Sequence, residues 1–144
     1  MKRHTGKISL TITLLWVAVI FLFSLQPAGA SSQLSLGVGH WLIDLLPSAI
    51  KDKLMAMPQE QLEFLHTLLR KTGHFSEYLI LGILSMITVQ QTELRYKRWT
   101  GLGFCLLVAS VDETIQLFVS GRSGQVSDVL LDFVGALCGI LLIK

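Results

Sequence analysis

The segment ISLTITLLWVAVIFLFSLQ, residues 8–26, carries no charged side chain over 19 positions, and it decides the fold class. An apolar run of this length is typical of a transmembrane helix. The basic segment 1–7 precedes it and Ala28-Gly29-Ala30 follows it, so a cleaved signal peptide is the alternative. The run exceeds the usual signal-peptide core of roughly 7–15 residues, which favours a retained helix.

The composition of the chain agrees with a lipid environment. Of its 144 residues, 51% are hydrophobic and 15% are charged, whereas a soluble domain carries about 25% charged residues. The mean hydropathy is +0.60. A soluble bundle would have to hide two apolar stretches of about 20 residues each. We therefore predict an all-α integral membrane bundle, with the lipid bilayer as a partner. The net charge of +2 does not indicate a nucleic-acid partner.

Three further apolar segments predict the remaining helices of the bundle. They cover approximately 73–91, 99–119 and 125–143. The segment 27–72 is predicted to be amphipathic and extracytoplasmic, with Pro58 beginning a helix along the membrane surface. Residues 1–144 are therefore interpreted as one membrane domain with about four transmembrane helices.

The distribution of basic residues predicts the topology. Lysines and arginines are concentrated in the segment 1–7, in the loop before Trp99 and at Lys144. Cytoplasmic segments are enriched in such residues. We therefore expect a multi-pass protein of the cell membrane with both termini in the cytoplasm.

The acidic residues of the predicted helices fall in one layer of the bilayer. Counted at about 1.5 Å per residue from the cytoplasmic helix ends, Glu77, Asp112 and Asp132 lie roughly 18–21 Å along their helices, and Ser24 and Gln116 roughly 25 Å. Because the hydrocarbon core is about 30 Å thick, this layer lies in its outer third. If left unpaired, the five carboxylates in this layer would together cost roughly 10 kcal/mol or more. They are Glu77, Asp112, Glu113, Asp128 and Asp132. They must be paired with basic groups, protonated, or in contact with water in a cavity open to the outside. They are therefore candidates for a functional site.

The last helix is predicted to turn its acids into the bundle. Asp128 and Asp132 are four residues apart, on a face that continues into Gly135 and Gly139. Small residues at this spacing allow a neighbouring helix to approach closely. The acidic face is therefore also the expected packing face.

Several motifs occur in a fixed order along most of the chain. They are FSLQPAGASSQLS at 23–35, RKTGHFSEYLILG at 70–82 and DETIQLFVSGR at 112–122, followed by Asp128, Gly135 and Gly139. This set resembles the VanZ-like membrane proteins. The resemblance implies an envelope role associated with low-level resistance to the glycopeptide teicoplanin in Gram-positive bacteria, and it does not settle a biochemical activity.

The resemblance also implies a set of site residues. The family's motif positions fall here on Arg70, Lys71, His74, Glu77, Tyr78, Asp112, Glu113, Gln116, Arg122 and Asp128. Two positions depart from the family pattern. Asp132 stands where Asn is usual, and Ser120 stands where Pro commonly precedes the Gly-Arg pair. The extra acid weakens any inference about local charge or metal preference.

Two interpretations without catalysis are compatible with these residues. In the first, the side chains only hold helices together, for example through ion pairs of Arg70 or Arg122 with acids. In the second, an outer polar pocket binds an envelope lipid, a lipid-linked cell-wall precursor or a glycopeptide, because arginine suits phosphate and carboxylate groups. The candidate ligand-binding residues are Arg70, Lys71, Tyr78, Gln116, Arg122, Asp128 and Asp132.

A catalytic interpretation is the third alternative. His74 and Glu77 are three residues apart on one helix face and suit an acid/base pair acting on a lipid head group. Asp112 and Glu113 complete the candidate catalytic set, and with Asp128 they could bind a divalent cation through oxygen. No nucleophile or metal motif supports this interpretation, so the prediction includes no metal and no cofactor. An ion or proton path is disfavoured because the inner helix halves lack ionisable residues.

Overall fold

The computed structural model describes residues 2–27, 58–122 and 124–143, together with Gly37, Leu45 and Pro47. This part of the chain forms helices and no strand, which confirms the predicted all-α fold. The helices are α1 (Lys2–Ser24), α2 (Gln59–Gln90), α3 (Lys97–Gln116) and α4 (Val126–Leu142). Most of the predicted amphipathic segment before Pro58 lies outside the described residues.

Helix α2 differs from the prediction because it is one continuous helix of 32 residues. The sequence analysis placed a surface helix at Pro58 and a separate span from about residue 73. The physical reason for the continuity is that no proline interrupts the segment, and its glycines, Gly73 and Gly82, are too far apart to break it. At about 1.5 Å per residue the helix is roughly 48 Å long, which exceeds the hydrocarbon thickness of about 30 Å.

Helix α2 is the centre of the bundle. It packs most extensively against α4 and also contacts α1 and α3. Glycines make the α2–α4 contact close, since a Cβ atom on Gly135 would lie 2.6 Å from the Phe75 carbonyl oxygen. A Cβ on Gly139 would overlap the Leu79 carbonyl oxygen in the same way. The structure thus agrees with the predicted packing face of the last helix.

Apolar side chains lie largely on the outside of the bundle. The buried core is small and includes Ile20, Leu81 and Val108, whereas Leu107 is 63% exposed and Leu142 is 66% exposed. Two helical segments, Thr5–Ser24 and Gln59–Gln90, are long and apolar enough to cross a membrane. An apolar exterior around a small core suits a lipid surrounding better than water.

The close α2–α4 contact predicts opposite effects for the same substitution at two glycines. Gly139→Ala should lower the melting temperature of the detergent-solubilised protein, because its Cβ collides with α2 backbone and overpacking costs about 1–3 kcal/mol. The control is Gly103→Ala, whose Cβ meets no atom within 4 Å and which should be neutral or stabilising. Circular dichroism melting curves measure both. Equal effects of the two substitutions would contradict the packing described here.

Candidate functional site

Polar side chains from all four helices meet at one end of the bundle. The C-terminal ends of α1 and α3 supply Ser24, Asp112 and Gln116, and the first turns of α4 supply Asp128 and Asp132. Each of these side chains is buried, and Asp112 and Asp132 are both 0% exposed. His74 joins them from α2. We call His74, Asp112, Glu113, Gln116 and Asp132 the buried cluster.

Asp112 is held by hydrogen bonds from two helices. The Ser24 hydroxyl of α1 donates to its Oδ1 at 2.5 Å, and the Gln116 amide donates to its Oδ2 at 3.2 Å. Both carboxylate oxygens are therefore oriented by neighbouring donors. The serine bond also ties the end of α1 to the end of α3.

Glu113 connects α3 to the beginning of α4. Its Oε1 accepts a hydrogen bond from the Gln116 amide at 3.2 Å. Its Oε2 accepts one from the backbone N–H of Gln125 at 2.9 Å. Gln125 is the residue that immediately precedes α4, so the Glu113 carboxylate helps to position the acidic first turns of that helix.

Asp132 and His74 face each other across the α2–α4 contact. The His74 Nδ1 atom lies 3.7 Å from the Asp132 Oδ1 atom, which is beyond hydrogen-bonding distance. Neither carboxylate oxygen of Asp132 has a hydrogen-bond partner among the described residues, and neither does His74 Nδ1. The hydroxyl of Tyr78 is likewise buried without a partner there. Such atoms are uncommon in protein interiors, where buried polar groups are normally hydrogen-bonded.

Basic side chains lie beside the buried cluster. Arg122 follows a turn in which Gly121 has a φ of 76°, a conformation that favours glycine. Its guanidinium donates to the Phe23 carbonyl oxygen at 3.3 Å and interacts electrostatically with Asp112 and Glu113. Burial lowers the pKa of Arg122 from its ordinary value, with nearby Arg70 acting in the same direction.

Lys71 is a second basic residue at the end of the bundle that holds the buried cluster, where it pairs with Asp128. Its Nζ atom lies 3.0 Å from the Asp128 Oδ1 atom, and its side chain is 38% exposed. Arg70 is exposed and interacts electrostatically with both His74 and Arg122. We call Arg70, Lys71 and Arg122 the basic mouth, because each interacts with an acid or a histidine at this end of the bundle.

The structure therefore places the residues predicted from the sequence in one region. Glu77 is half-buried and interacts electrostatically with Asp112 and Arg122, while the phenol of Tyr78 faces Asp112 and Asp132. Their functional roles stay predictions. The sequence left the partner of each acid open among the basic residues, and the structure pairs Asp128 with Lys71.

Two supporting groups were not among the predicted site residues. Helix counting had placed Ser24 in the polar layer, but its hydroxyl was not included among the candidate site residues. The backbone N–H of Gln125 has no sequence signal, because any residue other than proline could provide it.

Geometry of this kind defines a class of protein, namely a small helical bundle with an apolar exterior and a polar interior at one end. A family model described as VanZ/LLP1 matches residues 9–144, and the chain belongs to this family. Searches of curated proteins and of solved structures found no match. Membership links the chain in general terms to glycopeptide resistance. Together with the two long apolar helices, it indicates a membrane protein.

The different surroundings of the two fully buried aspartates predict opposite stability effects. Asp112→Leu should lower the melting temperature in detergent with EDTA, because it leaves the buried Ser24 hydroxyl without its acceptor and removes one acceptor of the Gln116 amide, and an unsatisfied buried group costs about 1–3 kcal/mol. Asp132→Leu should raise it, because an unpartnered buried acid is replaced by an apolar side chain of similar size. Differential scanning fluorimetry measures both, and a destabilised Asp132→Leu variant would argue that Asp132 has a partner in the folded protein.

Proposed function

We propose that the protein is a four-span membrane protein that binds the anionic head group of a lipid-linked cell-wall precursor at its extracytoplasmic end. The observation that carries the proposal is the basic mouth, which lies beside a buried polar cluster at one end of a bundle with an apolar exterior. Arg122 and Arg70 can each bind a phosphate or carboxylate through two parallel hydrogen bonds. Lys71 supplies a further charge, and its exposed fraction leaves it accessible to a ligand.

The orientation follows from the two ends of the bundle. The N-terminal part of α1 lies beside the C-terminal end of α2, since a Cβ on Gly6 would be 3.4 Å from the Gln91 Cβ. The loop before α3 therefore shares this end with the basic N-terminal segment. Cytoplasmic segments are enriched in lysine and arginine. This supports a cytoplasmic position for that end and an extracytoplasmic position for the buried cluster.

An envelope lipid is the ligand class that best matches this position. In the proposed orientation a lipid head group lies at the same end of the bundle as Arg122, whose guanidinium donates to the Phe23 carbonyl oxygen at the end of α1. A diphosphate offers several oxygen acceptors to the guanidinium and ammonium groups of the mouth. The general link of the family with glycopeptide resistance is compatible with a ligand in the cell envelope.

Ligand binding should depend on the basic mouth and not on positive charge in general. Arg122→Gln should weaken binding of a polyprenyl diphosphate about tenfold or more, because one charge-assisted interaction is worth about 1.5–3 kcal/mol. The control is Arg98→Gln, which removes an exposed arginine from the opposite end of the bundle and should leave binding unchanged. Tryptophan fluorescence titration in nanodiscs measures the dissociation constants, with the uncharged polyprenol as a second ligand.

Equal binding by the wild type and Arg122→Gln would refute this proposal. Equal binding of the diphosphate and the polyprenol would also refute it, because affinity would then come from the hydrocarbon chain. Release of inorganic phosphate during the titration would instead favour the catalytic interpretation, in which His74 and Glu77 act on the head group.

Chemical labelling tests the orientation. In a chain with Cys105 and Cys138 changed to alanine, a membrane-impermeant maleimide should label Ser120→Cys on intact cells. Ser120 is exposed and lies in the turn between α3 and α4. The matched control is Glu93→Cys, exposed at the opposite end, which should be labelled only after the membrane is permeabilised. The reverse pattern would place the cluster on the cytoplasmic side.

A further inference from the structure

We propose that His74, Asp112, Glu113 and Asp132 bind one first-row divalent metal ion, of which Mn²⁺ and Zn²⁺ match the ligand set best. The proposal goes beyond head-group binding and does not depend on it. From the sequence, Asp112 and Glu113 were grouped with Asp128 as possible cation ligands, and no metal was predicted. The structure directs Asp128 to Lys71 and brings His74 and Asp132 to the other two acids.

The first support is the distance between the candidate ligand atoms. One donor atom from each of the four residues lies within 4.8 Å of the others. Donor atoms bound to one tetrahedral zinc ion at about 2.0–2.2 Å lie about 3.3–3.6 Å apart. Side-chain adjustments on the order of 1 Å, which small torsional changes can supply, would therefore convert this arrangement into a coordination shell.

The second support is independent of the clustering and comes from Asp132. Its side chain is 0% exposed, and both of its oxygens lack hydrogen-bond partners within the described ranges. Burying a carboxyl group without compensation is costly. The His74 Nδ1 atom is also buried without a hydrogen-bond partner in the described part of the chain. It lies 3.7 Å from the Asp132 Oδ1 atom. A cation between the two would satisfy both groups at once.

Asp112 and Glu113 differ from this pair because their orientation is already held. Ser24, Gln116 and the Gln125 backbone N–H donate to their carboxylate oxygens. Hydrogen bonds of this kind orient the ligands of many metal sites, and each carboxylate oxygen keeps a lone pair for the ion. The cluster therefore combines two pre-oriented ligands with two groups that have no hydrogen-bond partner among the described residues.

Charge and ligand type narrow the choice of ion. Three ionised carboxylates carry three negative charges, which a divalent cation and the nearby Arg122 guanidinium together neutralise. Imidazole is a ligand of transition metals, whereas Mg²⁺ and Ca²⁺ are bound mainly by oxygen. One imidazole nitrogen with three carboxylates therefore favours Mn²⁺ or Zn²⁺ over Mg²⁺.

Metal binding by the purified full-length chain tests the proposal. After removal of metals with EDTA, isothermal titration with Mn²⁺ and Zn²⁺ should give one ion per chain. Asp132→Asn keeps the side-chain shape and should weaken binding at least 100-fold. Glu93→Gln removes an exposed acid at the opposite end of the bundle, and it should bind like the wild type. Each metal that binds should raise the melting temperature of the wild type and of Glu93→Gln, but not of Asp132→Asn.

A second variant reports on the imidazole and guards against misfolding. Bound Mn²⁺ should show nitrogen coupling in pulsed electron paramagnetic resonance, and His74→Gln should lose this coupling. A melting temperature in EDTA equal to that of the wild type shows that each variant is folded. Stoichiometry well below one ion per chain, equal affinity in Asp132→Asn, or binding of Mg²⁺ as tight as that of Mn²⁺ would each overturn the proposal.

Discussion

Backbone contact between α2 and α4 is the constraint on which the polar end of the bundle depends. Gly135 packs on the Phe75 carbonyl oxygen, and these residues are the immediate chain neighbourhood of Asp132 and His74. The small side chains of α4 thus determine how far the aspartate lies from the histidine. If the helices were separated by even one methyl group, the two groups would lie farther apart. The same contact buries Tyr78 completely, so packing and polar chemistry share one interface.

The burial of the acids and the exposure of the leucines fit a lipid surrounding and not an aqueous one. In water, side chains such as Asp112 and Asp132 would be expected on the surface and the leucines of α1 inside. The opposite distribution observed here reduces the contact of charge with lipid. It requires each buried acid to find donors within the bundle, which Asp112 and Glu113 do through Ser24, Gln116 and the start of α4. Asp132 is the exception among these described acids, and this difference separates the residues that hold the bundle together from those available for chemistry.

Much of the fold was accessible from the sequence, because helix periodicity and depth depend on local spacing. The three- and four-residue spacing of Asp128, Asp132, Gly135 and Gly139 predicts one helix face, and the structure packs that face against α2. The continuity of α2 was not predicted, because its first part is amphipathic and its second part is apolar. A change of this kind suggests two separate helices, although no proline or glycine pair between the two parts breaks the helix. The basic partner of Asp128 could not be predicted from the sequence either. Lys71 or an arginine could reach it, and only the tertiary arrangement selects the lysine.

The side-chain amide of Gln116 has a consequence for how the polar end responds to change. Its nitrogen lies within hydrogen-bonding distance of three acceptors, on Ser24, Asp112 and Glu113, but an amide group has only two protons to donate. The three oxygens must therefore compete for it, and strengthening one bond weakens another. Any event that alters the Asp112 carboxylate will shift the amide toward or away from Glu113. The end of α1 and the start of α4 are in this way linked through the side chains of Gln116 and Glu113.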